Sequence, residues 1–139
     1  MRLLYSLAFY LLVPAVLLRL AYRSLREPRY RETPGERFGF CRPINERGLV
    51  WVHAVSAGET NAAAPLVRRL LDAGYPVMIT TMTPTGRERV HALFGDRVFH
   101  AWAPYDLPGS VARFLRRVQP ACLVIIDTEL WPNRSEERR

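Results

Sequence analysis

From its amino terminus the chain alternates between apolar runs and polar breaks, and the runs set the elements. Leu3 to Leu18 is sixteen residues without a charge, flanked by Arg2 on one side and Arg19, Arg23, Arg26, Arg29 and Arg31 on the other. Sixteen falls short of the ~20 residues a spanning helix needs, and snorkelling by Arg19 with inclusion of Leu20-Ala21-Tyr22 extends it. Leu18-Arg19-Leu20-Ala21 supplies no small-x-small cleavage site, so residues 1–22 are expected to be an uncleaved membrane anchor. The arginine load on its carboxyl side predicts that the remainder stays in the cytosol. Pro14 leaves a kinked spanning helix and a shallow insertion both open.

Residues 23–48 are rich in Arg, Glu, Pro and Gly without periodicity, which predicts a basic connecting segment. Leu49 to Val55 is then β-branched, aromatic and uncharged, the pattern of a strand buried on both faces. It breaks at Ser56-Ala57-Gly58, where Gly58 is expected to permit a backbone conformation or a close approach that a Cβ would hinder. From Thr60, Ala63, Leu66, Val67, Leu70 and Leu71 fall at helical spacing until Gly74. Val77-Met78-Ile79 marks a second strand, and Pro84 suits the first turn of a helix to about Leu93. Val98 to Ala101 reads as a third strand, Pro108 to Val118 as a helix with Val111, Phe114, Leu115 and Val118 on one face, and Ala121 to Ile126 as a fourth strand. Alternating strands and helices predict an α/β fold, a Rossmann-like parallel sheet with right-handed crossovers and flanking helices. Glu59, Thr80 to Gly86, Asp106 and Glu129 are then all expected at one sheet edge.

Charge sharpens this picture. All 20 basic residues are arginine against 13 acids, and nine of those arginines, against four acids, lie in residues 1–47. A basic collar beside an apolar leader suits an anionic membrane surface, and the arginines are not interleaved with aromatics in a nucleic-acid motif. Cys41 and Cys122 form no CxxC, and His53, His91 and His100 lack the spacing of a zinc site, so a reduced, metal-free domain is expected.

The candidate chemistry sits at the helix mouth after the first strand. A phosphate cradle would leave that mouth empty for an anion, whereas here Glu59 occupies it, and Ser56-Ala57-Gly58 lacks the spacing of a dinucleotide fingerprint. As a first-turn acid Glu59 would contribute ~0.3–1 kcal/mol to the helix. Thr83 serves equally as an N-cap or as a ligand for sugar oxygens, and Arg87 and Arg89 as solvated helix charges or as contacts to a phosphorylated acceptor. For Glu36-Arg37-Phe38-Gly39-Phe40 a packed loop with a local ion pair is preferred over direct chemistry.

Trp51-Val-His-Ala-Val-Ser-Ala-Gly-Glu59, Glu36-Arg37-Phe38-Gly39, Thr80-Thr-Met-Thr-Pro-Thr-Gly86, Pro104-Tyr-Asp106 and Glu129-Leu-Trp-Pro-Asn133 occur here in one order. In order and spacing they resemble the amino-terminal half of the bacterial Kdo transferases, which attach 3-deoxy-D-manno-octulosonic acid (Kdo) to the lipid A precursor. The resemblance runs to Asn133. It implies the amino-terminal half of a GT-B type glycosyltransferase, an acceptor-binding domain over residues 49–133, and attachment to the cytoplasmic face of the inner membrane. It implies Glu59 as proton acceptor and Glu129 as transition-state stabiliser, with Ser56, Gly58, Thr83, Thr85 and Arg87 as acceptor-binding residues. CMP-Kdo is the implied donor and the lipid A precursor the acceptor, with no metal or redox cofactor and no nucleic acid. Asp127 stands where many members have glutamate. After Asn133 the charged stretch 134–139 departs from the pattern, so the chain is expected to be a truncated acceptor half with little activity alone. The competing readings are a membrane-tethered, non-catalytic module binding anionic lipid and a GT-B enzyme for another sugar.

Overall fold

The computed structural model describes residues 2–127. Strands β1 (Val50–His53), β2 (Val77–Thr81), β3 (Phe99–Trp102) and β4 (Cys122–Ile125) alternate with helices α2 (Ala57–Asp72), α3 (Pro84–Phe94) and α4 (Pro108–Val118), after a leading helix α1 (Arg2–Arg26). All strand pairs are parallel, in the order β3-β2-β1-β4, with Val50 opposite both Val77 and Cys122. This is the order of a doubly wound sheet, whose crevice opens where the order reverses, between the carboxyl ends of β1 and β4. The α/β expectation thus holds, and the order adds what alternation alone does not specify.

β1 is buried on both faces because each face has its own cover. Val50 and Val52 pack with Ala63, Ala64, Val67, Val90 and Phe94 of α2 and α3. Leu49 and Trp51 point the other way, toward Met78, Phe114, Val118, Cys41 and Ile44, with the Trp51 and Phe114 rings 4.6 Å apart. Period-two alternation in a strand with no charges thus feeds two cores. Trp51 Nε1 donates to Thr80 Oγ1 at 2.9 Å, so the buried indole keeps its bond.

Segment 23–48 is not a loose tether but packs over β3 and α4. Short 3₁₀ turns form at Pro28–Arg31 and Pro34–Phe38. Glu36 accepts from the backbone N–H of Trp102 at 2.9 Å, and Trp102 Nε1 donates to the carbonyl of Glu32 at 2.8 Å. From α4, Arg113 donates to the carbonyl of Phe38 and lies over the Phe40 ring at 4.0 Å, while Arg117 donates to the carbonyl of Cys41 at 3.0 Å. Gly39, at φ +82°, turns where an added Cβ would stand 2.3 Å from the Ser110 carbonyl oxygen. The packed loop expected around Glu36 is present. Glu36 serves the Trp102 backbone N–H and Arg113 an aromatic ring, in addition to the through-space attraction between Glu36 and Arg37.

α1 runs unbroken through Pro14. Among the described residues, Phe9, Val13, Val16, Leu20 and Ser24, spaced by three or four residues, form its covered stripe. Leu4, Leu7, Leu11, Leu12, Leu18, Tyr22 and Leu25 are exposed. Residues Leu7–Arg26 are long and apolar enough to cross a membrane.

Candidate functional site at the carboxyl edge of the sheet

α2 begins at Ala57, ahead of the apolar spacing that runs from Thr60, because Ser56 caps it. Ser56, at φ −124°, accepts from the Glu59 N–H at 3.4 Å. Glu59 reaches back: one carboxylate oxygen accepts from the Val55 N–H at 2.7 Å and the other from the Ser56 hydroxyl at 3.1 Å. Ser-x-x-Glu is the capping-box pattern, displaced here so that the acid holds the residue before the cap. A carboxylate offers about four acceptor positions, so two remain for a proton or a ligand hydroxyl. Glu59 is only half-buried.

The next turn is built the same way. Thr83 caps α3, accepting from the Gly86 N–H at 3.1 Å, and its hydroxyl also donates to the Val55 carbonyl at 3.4 Å. Thr85 lies exposed with its hydroxyl 3.4 Å from that of Thr83. The tight approach expected at Gly58 occurs at Gly86 instead. A Cβ on Gly58 would meet only Ser56 Oγ, at 3.8 Å, whereas one on Gly86 would stand 3.0 Å from Thr83 Oγ1 and 3.3 Å from the Ser56 backbone. Gly86 is what lets the mouths of α2 and α3 lie side by side. Below them Thr80 Oγ1 and His53 Nδ1 share a 2.9 Å bond in the core.

A cavity of about 390 Å³ opens at this edge, lined by Val55, Met82, Thr83, Tyr105 and Asp106 from the strand ends, by Tyr30 and Arg37, and by Phe9, Val16, Arg19, Leu20 and Arg23 of α1. Ser56 and Glu59 adjoin it through Val55. Arg37 is 2% exposed. It lies 4.3 Å over the Trp102 ring and 5.8 Å from that of Tyr30, bonds to the Tyr105 hydroxyl, and directs Nη2 at the Met82 carbonyl at 3.4 Å. Burial lowers the affinity of its guanidinium for the proton, opposed by Tyr105, Tyr30 and Glu36, and burial raises the Tyr105 phenol, opposed by Arg37. The stretch Glu36 to Phe40 was singled out in the sequence only as a packed loop, because Met82, Trp102 and Tyr105, which join Tyr30 and Glu36 around Arg37, lie 45 to 68 positions away.

Arg87 lies elsewhere: it pairs with Glu32 at 3.3 Å, stands 5.3 Å from the Trp102 ring, and lines a separate hollow with Arg29, Glu88 and His91. Arg89 donates to Asn61. Neither lines the cavity beside Glu59. Glu129 lies outside the described residues, as does all of 128–139. The last described residue, Asp127, follows β4 directly beyond the Ile126 N–H bonded to the His53 carbonyl at 3.2 Å.

Residues 32–139 match the family described as 3-Deoxy-D-manno-octulosonic-acid transferase (kdotransferase). The chain is 46% identical over 128 residues to a 3-deoxy-D-manno-octulosonic acid transferase of Haemophilus influenzae, covering 86% of this chain and 29% of that protein. It is 47% identical over 102 residues to one of Bordetella pertussis, covering 70% and 24%. To a probable mitochondrial 3-deoxy-D-manno-octulosonic acid transferase of Arabidopsis thaliana it is 34% identical over 133 residues, covering 94% and 30%. The chain thus spans less than a third of the length of these relatives. With a doubly wound sheet, two capped helix mouths at its carboxyl edge and these matches across its length, the chain belongs to the 3-deoxy-D-manno-octulosonic acid transferase family of glycosyltransferases.

Proposed function

We propose that this chain is the acceptor-binding half of a lipid IVA Kdo transferase, which moves Kdo from CMP-Kdo to a glucosamine hydroxyl of the lipid A precursor. As that hydroxyl attacks the anomeric carbon of Kdo and CMP leaves, Glu59 takes its proton. Such a base contributes ~10²–10⁴-fold. Glu129 stabilises the positive charge developing on the sugar. Ser56, Gly58, Thr83 and Thr85 border the acceptor, with the bare backbone of Gly58 giving it room, while Arg87, paired with Glu32 and outside the cavity, is left out of this set. Residues 1–22 anchor the chain at the cytoplasmic face of the inner membrane, 23–48 connect and 49–133 form the acceptor domain, to which the charged stretch 134–139 is not assigned.

The observation that carries this reading is the Glu59 carboxylate, fixed by two hydrogen bonds beside the strand-order reversal yet with acceptor capacity remaining. Residues 1–139 span less than a third of the length of these relatives, and on this reading they transfer little or nothing without a nucleotide-holding half. Labelled CMP-Kdo and the lipid precursor, given to the chain alone and to the chain joined to the carboxyl-terminal part of the Haemophilus influenzae relative, test both statements. Turnover is expected only in the joined protein, and robust turnover by the chain alone overturns the division of labour.

A further inference from the structure

We infer that α1 lies flat on an anionic bilayer surface, one face on the domain and the opposite face in lipid, and does not cross the membrane. At about 100° of turn per residue, Phe9, Val13, Val16, Leu20 and Ser24 centre on one side of the helix, and Leu4, Leu7, Leu11, Leu18, Tyr22 and Leu25 on the side opposite. The first set is the covered one: Phe9, Val16 and Leu20 line the cavity at the carboxyl edge of the sheet, and Ser24 Oγ accepts from Arg31 Nε at 3.1 Å. Tyr10 also reaches the first turn of α4, where a Cβ on Gly109 would stand 3.6 Å from its hydroxyl. The second set is exposed. Contact with the domain thus runs from Phe9 to Ser24, ~22 Å of helix at a rise of about 1.5 Å per residue.

A spanning helix attached along that length would carry the facing edge of the domain into hydrocarbon. That edge holds Arg37, Asp106 and Thr83, polar groups that a bilayer core does not solvate. Laid flat, the same helix keeps the edge on the aqueous side and gives its leucines to the boundary between headgroups and acyl chains. Length agrees, since the sixteen uncharged residues Leu3 to Leu18 reach ~24 Å against a core of ~30 Å. Arg19 and Arg23, whose snorkelling would extend a span, line the cavity instead. Pro14 lacks the N–H that the Tyr10 carbonyl would regularly receive, and interfacial water supplies a donor where the bilayer centre has none. On the lipid side Arg26 lies over the Tyr22 ring at 5.2 Å, a cation and an aromatic suited to an anionic headgroup layer. The inference deepens the proposed anchoring of residues 1–22 and requires no turnover.

The test adds one cysteine ahead of Met1 in the full 139-residue chain, produced in bacterial cells and treated with a membrane-impermeant maleimide before and after spheroplasts are lysed. The chain is expected in the membrane fraction, with the added cysteine labelled only after lysis, on the same side as Cys122. Labelling in intact spheroplasts, on the side opposite Cys122, overturns the flat helix, and recovery of the chain in the soluble fraction overturns the lipid partner. Depth is read separately from nitroxide labels at Leu4→Cys, Leu11→Cys, Leu18→Cys and Leu25→Cys, one at a time in the Cys122→Ser chain in phosphatidylglycerol nanodiscs, where Cys41, 2% exposed, stays unlabelled. All four are expected at one depth within about a helical turn, ~5 Å, and a larger spread, deepest at Leu11 and Leu18, refutes the inference. Leu11→Gln with Leu18→Gln should raise the free-to-bound ratio on phosphatidylglycerol vesicles at least tenfold at an unchanged melting temperature, and a smaller effect overturns the assigned face. A flat helix on a joined protein that does not turn over would sink the proposed acceptor half and leave this inference standing, while a spanning helix on an active one would do the reverse.

Discussion

Glu59 holds the turn before α2 and is proposed to accept a proton, and one substitution separates the two roles. In Glu59→Gln the amide oxygen can still accept from the Val55 N–H, and the amide N–H₂ can donate to Ser56 Oγ once that hydroxyl rotates. What is lost is the negative charge at the helix mouth, ~0.3–1 kcal/mol, and the strengthening that charge gives two hydrogen bonds. The cost is therefore about 1 kcal/mol, some 4 °C in melting temperature at this size. Glu59→Ala instead strips both bonds and leaves a half-buried backbone N–H without its partner, at about 1–3 kcal/mol. Urea unfolding of both variants, with turnover measured in the joined two-half enzyme, reads the difference. Glu59→Gln should be nearly as stable as the parent and lose ~10²–10⁴-fold in kcat. Full turnover in Glu59→Gln refutes the base, and a loss of stability equal to that of Glu59→Ala refutes the replaceable cap.

Four further outcomes follow from the geometry. Gly39→Ala combines a left-handed backbone, ~1–2 kcal/mol, with the clash at Ser110, so urea unfolding should show a loss of at least ~2 kcal/mol, whereas Gly48→Ala, at φ +73° in open space, should lose only the first part. Thr83→Ala should cost about 1 kcal/mol through the lost cap while Thr83→Ser keeps it, compared by thermal melting. Burial, with Arg87 and His91 nearby, holds His100 down at about 3 from 6.5, so the unfolded chain binds the extra proton first. Stability should be full above pH 6.5 and fall by up to ~1.4 kcal/mol per pH unit toward pH 3, a slope that His100→Asn should flatten. Burial pushes the Cys41 thiol up to about 11, so a thiol reagent at neutral pH should leave it unmodified until the chain unfolds.

The strands and helices were legible because each carries its own period. Pro108 to Val118 appears as read, bounded by a proline at its first position and a left-handed Gln119 at its end. Glu59 was legible as a first-turn acid of α2 although apolar spacing begins only at Thr60, and the capping box of Ser56 and Glu59, three apart, is the signal that marks the start at Ala57. Segment 23–48 had no period to read, since its order comes from bonds spanning 66 to 76 residues, from Glu36 and Glu32 to Trp102 and from Arg113 and Arg117 to Phe38 and Cys41. The candidate site divides in the same way. Glu59, Ser56 and Thr83 stood out as types at a strand end, while Arg37 and α1 joined them only through tertiary packing, and Arg87 turned away because Glu32 and Trp102 hold it.

The sheet order also fixes a moment of vulnerability in synthesis. β1, β2 and β3 are made in succession and can pair as they emerge from the ribosome, but the other flank of β1 stays bare until residue 122 has been translated, some 70 residues later. Throughout that interval Val50 to His53 offers an uncapped ladder of backbone groups to any neighbouring nascent chain. A stall or nonsense codon before β4 would thus leave the innermost strand of the domain as its stickiest border.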